Sequence, residues 1–103
     1  INLPTLIFDE IDTGISGEAA KQVGLIMKEL AVKRQVICIT HQPQIAGKAD
    51  AHFFVHKAVN NDVVTTKVKQ LTKDERIVAI AKMLSGEKPT SAALENAREM
   101  VMN

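Results

Sequence analysis

Three carboxylates, Asp9, Glu10 and Asp12, fall within four positions of this chain, directly after the uncharged run Thr5-Leu6-Ile7-Phe8. A parallel strand covered on both faces reads as a continuous apolar run. Ligands of open α/β sheets sit beyond the carboxyl ends of such strands. Asp9 and Glu10 are therefore expected where a polyphosphate and its magnesium ion could bind. Asp9 would hold the cation, often through its waters, and Glu10 would polarise an attacking water as a general base. The plain alternative is that both residues open a solvated loop or cap the following turn. The first twenty residues also carry Glu18 and no Lys or Arg, an acidic balance that suits a cation.

The second informative stretch is Ile39-Thr40-His41-Gln42. A histidine at a strand end could hydrogen-bond a γ-phosphate and register its presence; a structural or solvated histidine is the alternative. An apolar strand ending in Asp-Glu is a Walker B pattern, common enough to say little alone. Its spacing to His41 says more, because one β-α-β unit would set both groups on a single sheet edge. Between them runs Asp12-Thr13-Gly14-Ile15-Ser16-Gly17, whose glycines permit a tight backbone path and close approach to another chain. A simple strand-to-helix loop with Ser16 as its cap would read the same way.

The elements that must position these groups follow from periodicity. A strand is expected over residues 5–9 and a loop over 11–14. A helix over 17–32 would be capped by Ser16 and would bury Ala19, Val23, Ile26, Met27 and Leu30, with Lys33-Arg34 at its negative end. A second buried strand, 35–40, completes a right-handed β-α-β unit with parallel strands. A short helix or turn over 43–49 leads to a strand at 52–57, the turn signal Asn60-Asn61-Asp62, and a strand at 63–71, together a hairpin. Thr72-Lys73-Asp74-Glu75 fits a capping box before a helix with Ile77, Ile80, Ala81 and Leu84 on its apolar face. Gly86 and Pro89 end it. Thr90 or Ser91 caps a last helix that buries Leu94, Ala97 and Val101.

Length suits one small domain, residues 1–103, with a modest core. The net charge of +1 favours no class of partner. The single Cys38 excludes an internal disulfide and reads as a small hydrophobe within a strand, as an intracellular protein would use it. No apolar run reaches the length of a membrane span, so no membrane partner is expected. The chain opens on Ile1 and enters a strand almost at once, which suggests a piece of a longer protein. Lys57, Lys67, Lys69, Lys73 and Arg76 could form a basic face near the hairpin, though a solvated surface is the stronger reading. No Trp or Tyr is present to stack on bases.

Leu6-Ile7-Phe8-Asp9-Glu10-Ile11-Asp12-Thr13-Gly14-Ile15-Ser16-Gly17, followed by Ile39-Thr40-His41-Gln42-Pro43-Gln44-Ile45-Ala46, closely resembles the carboxyl-terminal part of the RecN family. These are DNA repair proteins with an ABC-type ATPase head related to the structural-maintenance-of-chromosomes (SMC) proteins. The likeness continues through Ala49-Asp50-Ala51-His52-Phe53 to Arg76 and Met83-Leu84. It implies an α/β fold that is part of a P-loop NTPase (ABC ATPase) head: a short parallel sheet with flanking helices, a β-hairpin and two C-terminal helices. It implies Asp9 as the Walker B magnesium residue, Glu10 as catalytic glutamate and His41 as the switch histidine on the γ-phosphate. Asp12, Thr13, Gly14, Ile15 and Ser16 would form the D-loop that crosses to a partner head, although many ABC relatives place an aspartate where Ser16 stands. The cofactors implied are ATP and Mg2+. The partners implied are the amino-terminal part of the same head, a second head in a homodimer, and DNA, in the bacterial cytoplasm at the nucleoid.

No Gly-x-x-x-x-Gly-Lys-Ser/Thr loop occurs in the sequence, so no lysine and backbone nest grip the phosphates. Leu84-Ser85-Gly86-Glu87 mimics the ABC signature but lies downstream of Walker B, and it reads as a helix end with Gly86 as terminator. The resemblance therefore implies ATP binding and hydrolysis only alongside the Walker A half and a partner head. Two other readings stay open: a non-catalytic interaction or dimerisation domain, and a metal-dependent hydrolase built on Asp9, Glu10, Asp12 and His41.

Overall fold

In the computed structural model the described residues are 4–9, 14–15 and 17–102. β1 (Thr5–Asp9) pairs in parallel with β2 (Gln35–Ile39), Thr5 lying opposite Gln35 and Asp9 opposite Ile39. α1 (Gly17–Leu30) makes the crossover between them. The side chains of Leu6, Phe8, Val36 and Cys38 are half-buried. The last three pack with Ala20 and Met27 of α1 into a first core that also takes in Ile45.

The second face of this sheet departs from the expectation of burial on both sides. Ile7, Ile37 and Ile39 are 67%, 42% and 51% exposed. The pair has only one helical layer against it, and no described residue covers the other face. The continuous apolar run is therefore a property of two potential interfaces, of which the described residues supply one.

α1 also differs in its face and its end. Ala20, Gly24 and Met27 are buried and Val23 is half-buried, whereas Ala19 and Ile26 point outward. The buried stripe is rotated because α1 must meet two neighbours, the sheet and a short helix that presses on Gly24. After Leu30 the chain tightens through Val32 N–H to Glu29 O and Lys33 N–H to Leu30 O. Lys33 and Arg34 thus lie in the turn beyond the helix, and Lys28 supplies the positive charge of its last turn.

That short helix, α2 (Pro43–Ala46), is four residues long where a span to residue 49 was expected. Pro43 sits in its first turn, where a missing N–H costs nothing. Ile45 belongs to the first core and Ala46 to a second. Adjacent residues of one turn thereby join the two halves of the interior.

β3 (Phe53–Asn60) and β4 (Val63–Gln70) form the antiparallel hairpin, with Asn60 opposite Val63. Its two-residue loop, Asn61 and Asp62, has φ of 51° and 62°. Positive φ at both loop positions matches the right-handed twist of the strands, and Asn and Asp tolerate it better than other side chains. The first strand runs three residues beyond its expected end because the tight turn keeps pairing intact to the tip.

α3 (Lys73–Ser85) begins with the capping box: Thr72 Oγ1 accepts from Glu75 N–H, and Glu75 Oε1 accepts from Thr72 N–H. α4 (Ser91–Met102) starts behind Thr90, whose Oγ1 accepts from Ala93 N–H, so Thr90 rather than Ser91 is the cap. The two helices enclose the second core of Ala46, Ile77, Ile80, Ala81, Ala93 and Ala97. Ile80 is fully buried, which contributes about 1.5–3 kcal/mol. Gly86 lies past the end of α3, its N–H bonded to Lys82 O, so the signature-like Leu84-Ser85-Gly86-Glu87 is a helix terminus.

Candidate functional site

Asp9 is the last residue of β1 and Ile39 the last of β2, in direct register. His41 follows two residues later, so acid and imidazole share the carboxyl edge of the parallel pair, both with exposed side chains. Strand parity puts Asp9 on the face of Ile7, the uncovered one. Past β2 the backbone is turned at once: Gln42 N–H donates to Thr40 Oγ1 at 3.0 Å, and Ala46 N–H donates to Gln42 O. His41 is held between a strand end and a helix start.

Gly14 has φ of 81°, a value natural to glycine, and Ile15 packs against the first core. Glu10, Asp12, Thr13 and Ser16, the expected general base, crossing-loop residues and helix cap, lie outside the described residues. Among the described residues no three His, Cys, Asp or Glu groups stand together as a metal cage. Magnesium at a phosphate site takes one or two carboxylates and completes its shell with water and phosphate oxygens. One exposed carboxylate at a sheet edge fits that ion.

The segment after His41 is gripped from three sides. A Cβ on Gly24 of α1 would meet Gln44 O at 3.1 Å, and one on Gly47 would meet Met100 Cβ at 3.0 Å and Met100 O at 3.1 Å. From α3, Arg76 Nη2 donates to Ala49 O at 2.8 Å and Ala46 O at 3.3 Å. From α1, Lys28 Nζ donates to Lys48 O and pairs with Asp50 Oδ1, each at 3.2 Å. Burial lowers the Arg76 pKa, with Asp50 opposing it. Burial and the Arg76 charge together lower that of His52.

Sequence reading missed this role of Arg76 and grouped it with surface lysines. A signal was present, because Arg76 shares a helical face with Ile80 and Met83, so its head had to end inside or at a buried edge. The basic face itself is split. Lys57 pairs with Thr66 while Lys67 and Lys69 face His56 and Phe54 in the register, so they lie on opposite sides of the hairpin. Lys69 is also engaged by Glu75. An open groove between the hairpin base and α3 is lined by Phe54, Leu71, Val78 and Met83; Asp9 and His41 take no part in it.

No family model matches the chain. The DNA repair protein RecN of Rickettsia typhi is 48% identical over 98 residues, that of Haemophilus influenzae 43% over 99, and that of Bacillus subtilis 36% over 100. These matches cover 95%, 96% and 97% of the chain but only 18%, 18% and 17% of the relatives, so the chain spans under a fifth of their length. Among solved structures, an SMC ATPase studied for ATP-driven dimerization and DNA-stimulated activation superposes with a TM-score of 0.64 at 22% identity, covering 84% of this chain and 51% of that one. The Smc head domain of Pyrococcus yayanosii, with its coiled coil and joint, gives 0.62 at 25% identity, covering 82% of this chain and 15% of that one. The chain thus resembles, across nearly all of its length, the carboxyl-terminal part of RecN DNA repair proteins, and its fold is that of part of an SMC ATPase head.

Proposed function

We propose that residues 1–103 are the Walker B, D-loop and switch-histidine half of a RecN-like ATPase head that acts in DNA double-strand-break repair and recombination. The observation that carries this reading is the shared edge: Asp9 closes β1 opposite Ile39, and His41 leaves the same end of β2. Asp9 would hold the magnesium ion, Glu10 would draw the proton from the attacking water, and His41 would donate to the γ-phosphate. Magnesium, when bound, neutralises charge on the phosphate oxygens. Asp12, Thr13, Gly14, Ile15 and Ser16 match the D-loop sequence and would serve as its contact with a second head.

The phosphate cradle comes from the Walker A half of the same head, because this sequence holds no such loop. Its absence removes most of the preorganised stabilisation on which phosphoryl transfer depends. ATP is therefore bound and hydrolysed only when that half and a partner head are present, and DNA engagement belongs to the whole protein, in the bacterial cytoplasm at the nucleoid. No helix among the described residues is long and apolar enough to cross a membrane. In the full-length protein, Glu10→Gln should keep ATP binding while lowering turnover about 100-fold or more. Wild-type turnover by that variant would overturn the reading.

A second reading draws on the uncovered face of β1–β2, where Ile7, Ile37 and Ile39 lie open. Apolar sheet surface of this kind associates, as a non-catalytic dimerisation domain requires. A strict monomer by light scattering over a wide concentration range counts against it.

A further inference from the structure

We infer that Arg76 is a positioning residue for His41, acting through α2, and that this contact couples the α3–α4 layer to the sheet edge. The inference rests on the role proposed above for His41. Its geometric basis lies elsewhere, in how the four-residue α2 is held.

A helix of one turn has little stability of its own. α2 stands only because its surroundings fix it. Its start is set by Thr40 Oγ1 and Gln42 O, the residues on either side of His41. Its carboxyl end is set by Arg76, whose single Nη2 reaches both Ala46 O and Ala49 O. Ala46 O ends α2 and also accepts from Ala49 N–H, while Ala49 O lies in the turn beyond, so Arg76 clasps the helix end together with the chain that leaves it, where positive charge is favoured. Between the two ends, Gly24 and Gly47 let α1 and α4 approach closely enough to leave no room for a Cβ without displacement.

The consequence is mechanical. Ile45 is anchored in the core beneath β1 and β2, and Ala46 in the core between α3 and α4. The next residue, Gly47, lies so close to Met100 near the end of α4 that an added Cβ would be 3.0 Å from the Met100 Cβ. A shift of α3 drags the Arg76 head, α2 tilts as one rigid turn, and His41 moves at its other end. Arg76 itself is fixed by more than this contact. It lies one residue after Glu75, which closes the capping box and holds Lys69 of the hairpin, and Leu71 N–H bonds to His52 O at the hairpin base. A load on the hairpin or on α3 therefore has a short covalent and hydrogen-bonded route to the proposed γ-phosphate contact.

The test uses the full-length protein with Arg76→Met, which keeps an apolar stem but no donor, and Arg76→Lys, which restores donor and charge. Loss of positioning lowers turnover without weakening ground-state binding, so Arg76→Met should cut kcat about tenfold while the KM for ATP stays within about threefold. Arg76→Lys should recover a large part of that loss. In a His41→Ala background, Arg76→Met should change kcat no further, since both act on one element. Unaltered kcat in Arg76→Met overturns the inference, as does a loss that adds fully to that of His41→Ala. Should Arg76→Met fail to fold, Arg76→Gln, too short to reach both Ala46 O and Ala49 O, takes its place, and unaltered kcat in it has the same force. If His41→Ala hydrolyses ATP like the wild type, it is the proposed role of His41 that falls. If His41→Ala is impaired and Arg76 is neutral, only the coupling falls.

Discussion

Asp9 and Ile39 are register partners at the carboxyl end of the β1–β2 pair, so the acid is set by backbone pairing and the histidine stands two residues past the end of that pairing. Strands in a sheet keep a spacing of about 4.8 Å. The proposed magnesium residue is therefore placed before any nucleotide arrives. In the full-length protein Asp9→Asn should keep the fold and raise the Mg2+ concentration for half-maximal ATP turnover about tenfold or more, since a carboxylate ligand is replaced by a neutral amide. An unchanged magnesium titration would show that Asp9 does not hold the cation.

The glycines around α2 give a second expectation. Gly47→Ala puts a methyl group against Met100 and the Met100 and Pro43 carbonyls, the nearest contact being 3.0 Å. Overpacking of this kind costs about 1–3 kcal/mol. Gly24→Ala recovers about 1 kcal/mol of helix propensity, but its neighbour at 3.1 Å is the Gln44 backbone oxygen, which cannot swing away. Urea unfolding should show a net loss for both, larger at Gly47. Stabilisation by Gly47→Ala would mean that α2 and α4 are less tightly apposed.

Acid stability should depend on Glu75. The hydrogen bond from Lys69, then those from the Thr72 backbone and side chain and the charge of Lys69, hold its pKa at about 2 against a usual 4.5. A depressed carboxylate pKa stabilises the fold above the unfolded value and loses that contribution as pH falls through the folded one. The Glu75 contribution is thus whole above about pH 5 and fades toward pH 2. Glu75→Gln keeps an acceptor for the cap but no charge for Lys69. Its melting temperature should lie below that of the wild type at neutral pH, and the gap should close on acidification to pH 2. A gap constant with pH would remove the ion pair from the account.

The bare sheet face makes opposite demands in the segment and in the whole protein. Ile7→Lys with Ile37→Lys should reduce self-association of the 103-residue chain in light scattering, because both residues are exposed. The same pair should lower the melting temperature of the full-length protein, where the rest of the head is proposed to cover that face. Equal effects in both contexts would argue that the face stays open.

Much of this architecture was legible from residue order. The strand end at Asp9, the capping box at Thr72, the Asn61-Asp62 turn and the Gly86 stop are local devices, so adjacent residues sufficed to read them. The faces were harder. Ala20 and Gly24 line the buried side of α1 instead of Ala19 and Ile26 because α2 presses on the helix, and no periodicity within α1 encodes a neighbour twenty residues away. Arg76 was misread for the same reason: its partners, Ala46 and Ala49, offer backbone carbonyls, which every residue has and no sequence pattern marks. The acid–histidine edge was foreseen because a β-α-β unit leaves few geometries open. The placement of Glu10 and Asp12 still rests on sequence alone.

The two strand pairs will not assemble at the same time. β3 and β4 need only a two-residue loop to close, and a hairpin of that kind forms in about 1–10 μs. β1 and β2 join residues thirty positions apart, such as Thr5 and Gln35, with a complete helix between them. Non-local pairing carries its loop entropy before any contact rewards it. The hairpin and the α3–α4 pair therefore mature early on the folding pathway and the parallel pair matures late. Asp9 and His41, which only that late step brings together, come into alignment after the hairpin and the α3–α4 pair.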